Sequence, residues 1–135
     1  MTTRLRLLLL GSICAFTATV QAHHSFSAIF DGDKPIEVTG VITKVDWVNP
    51  HSYVHLLVTD KNGQKAEWSF ESLPPAFLKR AGFKREMLAI GSSVTIFGYA
   101  ARDGSQHLGW VKKYRFPDGR EIQVTADNPG NAKFN

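Results

Sequence analysis

Cysteine is almost missing from this chain of 135 residues, and the single copy, Cys14, lies in an apolar N-terminal stretch. Beyond that stretch, disulfides, thiolate metal sites and a cysteine nucleophile are therefore excluded. A membrane-spanning run is missing too: the apolar stretch from Leu7 to Val20 holds only about 14 residues, short of the ~20 that cross a bilayer, and is diluted by Gly11 and Ser12. Nor does one sign of charge dominate. Of 16 basic residues, Arg4 and Arg6 fall in the first 22, which leaves 14 basic against 12 acidic side chains. That excess is mild and contains no basic run, so a nucleic-acid partner is not expected. No nucleophile elbow, phosphate-binding loop or dinucleotide glycine motif occurs either.

What the first 22 residues do have is the layout of a secretory signal: a positive start at Arg4 and Arg6, the apolar stretch, then Val20 and Ala22 around Gln21. Cleavage after Ala22 is expected, giving a periplasmic protein exported unfolded through the Sec pathway, because twin arginines are absent. A lipoprotein would use Cys14, but Ile13 precedes it where a small residue is needed. Residues 23–126 then form one domain, and 127–135, with Pro129, Gly130 and three asparagines nearby, form a disordered tail. After cleavage no membrane partner is expected.

The domain reads as all-β with one short helix. Ile36 to Val48 is a long Val-, Ile- and Thr-rich strand in which Gly40 marks a bulge, after a turn-rich break at Asp31 to Pro35. Ser52 to Asp60 alternates, Asn62-Gly63 turns a hairpin, and Lys65 to Glu71 follows. Pro74-Pro75 opens a short helix over Ala76 to Ala81 that Gly82 stops, with a further turn at Lys84 to Leu88. Ser93 to Arg102 and His107 to Phe116 are two more strands, and Glu121 to Thr125 adds a C-terminal hairpin. Three strands, a helix and two strands is the order of an OB-fold, a five-stranded barrel. The aromatic residues Trp47, Trp68, Phe70, Trp110, Tyr114 and Phe116 alternate as core residues do.

The chemistry concentrates in histidines. If cleavage exposes His23, that residue carries both a free α-amine and an imidazole, with His24 beside it. Amine and Nδ1 close a chelate ring, and a third nitrogen from elsewhere completes a histidine brace, an arrangement that suits Cu(II). Cleavage one residue earlier gives Ala22-His23-His24, whose amine, backbone amides and third-position imidazole wrap Cu(II) in a square plane. Copper is the cofactor either version calls for.

The expected third ligand is His51, aimed by the turn Asn49-Pro50. His55 lies about 13 Å further along the strand, so the two cannot share one metal, and His107 is a weaker candidate. Glu67 and Glu71, also about 13 Å apart, read as solvated edge charges and not as a paired acid and base. Asp31 and Asp33 are too few oxygen ligands for calcium.

Ala22-His23-His24-Ser25-Phe26, Trp47-Val48-Asn49-Pro50-His51, Glu67-Trp68, Arg80-Ala81-Gly82-Phe83 and Gly98-Tyr99 before Asp103-Gly104-Ser105 together resemble a family of small exported proteins of Gram-negative bacteria, a domain of unknown function marked by an HHSF start and a W-x-N-P-H segment. Where such relatives carry Trp after the glycine ending the helix, this chain has Phe83. The resemblance implies periplasmic residence and a β-rich barrel, and it places His23, His24 and His51 at motif positions. It supplies no activity.

Two function classes follow. One is a non-enzymatic periplasmic copper carrier or buffer, with His23, His24 and His51 as ligands and a periplasmic protein as partner. The other is a metal-free binding module that holds a small ligand, an envelope component or a protein on the barrel face bearing Tyr53 and His55. A copper oxidase acting on polysaccharide ranks below both, because so short a chain leaves little room for a substrate face.

Overall fold

The computed structural model describes residues 26–125. The expected signal sequence, His23, His24 and the expected tail from 127 lie outside them. One turn of helix, α1 (Phe26–Ile29), runs into β1 (Phe30–Asp46), followed by β2 (Ser52–Thr59), β3 (Lys65–Ser72), α2 (Pro75–Arg80), a 3-10 turn at Arg85–Met87, β4 (Ser93–Ala101), β5 (Leu108–Arg115) and β6 (Glu121–Gln123).

The strands form one sheet in the order β3-β2-β1-β4-β5-β6, and β3 also pairs with β5. That last pairing is parallel, joins Ser69–Glu71 to Leu108–Trp110, and closes the first five strands into a ring. This is the OB-fold order, with β6 added to β5 as the C-terminal hairpin.

β1 does the work of two strands. Its first part pairs with β4 and its last part with β2, and Val41 pairs with both Leu57 and Ser93. Gly40 sits at this crossover, where a Cβ would come within 2.8 Å of the Leu57 carbonyl oxygen and 3.0 Å of the Leu56 Cβ. Its role is close approach, and the bulge expected there falls instead between Ile42 and Lys44. The unpaired residue, Thr43, donates its hydroxyl to the His55 carbonyl at 3.2 Å. The break expected at Asp31 to Pro35 is likewise a register irregularity inside β1, because the strand already begins at Phe30.

Local chemistry explains the connections. Asp60 Oδ1 accepts from the amides of Asn62 (2.8 Å) and Gln64 (2.9 Å), which fixes the β2–β3 hairpin. Pro75 lies in the first turn of α2, where a missing N–H costs nothing, and Gly82 at φ 81° ends the helix with its amide on the Lys79 carbonyl at 3.0 Å. Leu78, Phe83 and Leu88 plug the ring from this side, joining Val54, Leu56, Phe70, Ile96, Val111 and Tyr114 in the main core.

A second, smaller core lies on the outer face. Phe30, Tyr99 and Trp110 are buried there under Phe26 and Ile29 of α1, together with Leu73 and Leu108. Arg102, just past β4, fastens this strap: its amide donates to the Ile29 carbonyl (2.8 Å), its Nε to the Ser27 carbonyl (2.9 Å) and its Nη2 to the Phe30 carbonyl (3.3 Å).

Candidate functional site

Asn49 and Pro50, joined by a cis peptide bond, lead into His51, which stands just before β2 with a quarter of its side chain exposed. Its Nδ1 meets Oε1 of Glu71. The Cα partner of Glu71 on β2 is Tyr53, and on β5 it is Trp110, so the carboxylate is enclosed where the ring closes. The His51 ring stands edge-on to the indole of Trp110, 5.8 Å between centroids at 89°.

Glu71 therefore departs from the solvated edge charge its position in an alternating strand suggests. It is buried, whereas Glu67 on the same strand face is exposed. The difference follows the ring closure: β5 pairs with β3 from Ser69 to Glu71 and does not reach Glu67. A carboxylate accepts only, so Nδ1 of His51 carries the proton in this pair, and in the neutral ring the lone pair falls on Nε2. This tautomer is the one found in carboxylate–histidine–metal triads, where the second shell fixes the ring and raises its basicity.

Tyr53 is the other donor to Glu71. Burial pushes its hydroxyl pKa up, and the charge of Glu71 and the hydrogen bond to it add to the effect. Across the ring of contacts, the buried indole N–H of Trp110 has no acceptor among the described residues.

The remaining histidines have other partners. Nε2 of His55 is 3.1 Å from Oδ2 of Asp46, which also takes Lys44 Nζ at 2.8 Å. These partners, Lys44 first, hold the Asp46 carboxyl below its usual range. His107 is exposed, takes a left-handed φ of 60° ahead of β5, and packs on Trp68 at 5.2 Å. Among the described residues, no three His, Cys, Asp or Glu side chains gather as a metal would require. His51 and Glu71 are two such residues, and His23 and His24 lie outside the described part.

The first described residue brings the chain back to this place. The Phe26 ring is 5.6 Å from that of Trp110, 5.5 Å from Tyr99 and 5.8 Å from Phe30. Phe26 and His51 thus flank one indole. A family model for a family of unknown function, DUF6152, matches residues 12–113. The chain belongs to this family. The matched span runs from Ser12 through His51 and Glu71 to Lys113, so it takes in every residue of the site. No curated protein matches the chain.

Sequence reasoning missed Glu71, Trp110 and α1 as parts of the site. The adjacency of Phe26 to the histidine pair was the available signal.

Proposed function

We propose that the protein is a periplasmic copper carrier or buffer in which His23, exposed by signal cleavage, supplies its amine and imidazole, and His51 supplies Nε2. His24 is a further ligand or supports one. The observation that carries this reading is the shared indole: Phe26, three residues after His23, and His51 both pack on Trp110. Three residues span at most about 10 Å, so a chain anchored at Phe26 can bring its first residue to His51. The tautomer set by Glu71 supports the reading from the other side, because it leaves Nε2 as the coordinating atom. Export with metal loading after folding is part of the same proposal.

The reading of the β2 face as a metal-free ligand site has less support. The Tyr53 hydroxyl and Nε2 of His55 are engaged by Glu71 and Asp46, which leaves fewer groups to recognise a ligand.

The test is a copper titration of the protein recovered from exporting cells, its first residue read by mass spectrometry and its ligands by electron paramagnetic resonance. One-to-one binding with nitrogen ligation is expected, weakened at least tenfold by His51→Ala and by one extra residue ahead of His23 (about 1.4 kcal/mol or more). A mature chain beginning at Ser25 or later would sink the proposal, as would an affinity that the extra residue leaves unchanged.

A further inference from the structure

Most of the described cations fall into two groups; outside them, Lys61 and Lys65 at the β2–β3 hairpin are exposed without an ion pair among the described residues, and Lys112 has a partner of its own. Lys34, Lys44, Arg102, Lys113, Arg115 and Arg120 are each paired with a carboxylate. Lys79, Arg80, Lys84 and Arg85 are all exposed and form no ion pair among the described residues. They stand at the end of the ring that α2 closes, opposed between Pro74 and Gly91 only by Glu86.

The fold gathers these two dipeptides on one surface. Lys79, Lys84 and Arg85 line an open cleft of about 440 Å³ with Trp47 and Phe83, and Arg85 continues into a second depression that reaches Ile90. Two of the four large apolar side chains exposed in the described part belong to this segment, Phe77 on α2 and Ile90 at the second depression, the latter 71 % exposed. The Arg80 guanidinium lies over the Phe77 ring at 4.3 Å.

We infer that this end of the molecule is a peripheral docking surface for an anionic lipid bilayer. Unpaired lysines and arginines interspersed with single protruding apolar side chains are what a charged headgroup layer binds, since the cations meet lipid phosphates while the apolar tips enter the acyl boundary. A protein interface would instead place a contiguous apolar core at its centre and deplete lysine. The inference departs from the expectation of no membrane partner, which rested on cleavage of the apolar leader and not on where the surface charges stand.

The test is sedimentation with phosphatidylglycerol–phosphatidylcholine vesicles against phosphatidylcholine alone, using the protein as isolated. At least tenfold preference for the anionic vesicles is expected, reduced by salt, with Trp47 fluorescence quenched by brominated acyl chains. Lys79→Glu with Lys84→Glu should lower binding tenfold or more, and Phe77→Ser with Ile90→Ser several-fold, each at unchanged melting temperature. Binding indifferent to the charge pair overturns the proposal. So does equally tight binding to soluble polyglutamate that the apolar pair leaves untouched, which would point to an acidic protein partner instead.

Discussion

Glu71 is the residue on which the site turns, because one buried carboxylate takes hydrogen bonds from both His51 and Tyr53. Replacing it with Gln keeps the volume but releases the constraint on the imidazole. Under the copper proposal, Glu71→Gln should cost about 10- to 100-fold in metal affinity, the usual effect of removing such a support. The same variant makes a prediction that needs no metal. The Tyr53 pKa should fall when the charge of Glu71 is removed, yet stay above the ordinary 10.0, because burial, its largest cause, persists. An ultraviolet titration of tyrosinate in variant and parent measures this. The sequence shows His51 as a candidate through its Asn-Pro turn, but it cannot show Glu71. Alternation along Lys65 to Ser72 assigns that carboxylate to the outer face, and only a strand far along the chain decides whether the outer face is wet.

Among the elements, α1 is the one with most consequence for its size. Four residues make no stable helix by themselves, and this turn persists because Phe26 and Ile29 pack over Trp110 and Arg102 bonds three of its neighbouring carbonyls. Arg102→Ala keeps the amide bond to Ile29 but loses the two guanidinium bonds, and should destabilise the fold by about 1 kcal/mol, measured by urea unfolding. Under the copper proposal it should also weaken copper binding while leaving His51 and Glu71 in place. Nothing local announces the strap. Asp31-Gly32-Asp33-Lys34-Pro35 reads as a turn, and the chain runs extended through it because its backbone continues the β1–β4 ladder. By contrast the Asn62-Gly63 hairpin, the Pro75 start of α2 and its Gly82 stop are legible, since each rests on a few adjacent residues.

For the whole molecule, the order of strands and helix was enough to read the OB-type ring, because the apolar alternation that marks each strand also builds the core. Tyr114, buried in this core, and the half-buried Tyr53 set how the fold responds to alkali. Burial pushes the hydroxyl pKa of Tyr114, wholly enclosed in the main core, strongly up, and raises that of Tyr53 less. A folded-state pKa above the unfolded value of 10.0 means that the stabilisation is intact below about pH 10 and is lost as pH rises further. The melting temperature should therefore hold on the alkaline side until near pH 10 and then drop, with Tyr114→Phe shifting the drop to higher pH. The parallel pairing of β3 with β5 has a consequence in time. It joins stretches far apart in the chain, Ser69 to Leu108, and with the still longer-range β1–β4 pairing it belongs among the slowest contacts to form. Glu71 and Trp110 become neighbours only in that event. Until the ring closes His51 has no wall to stand against, and any cargo it takes must arrive after folding is complete.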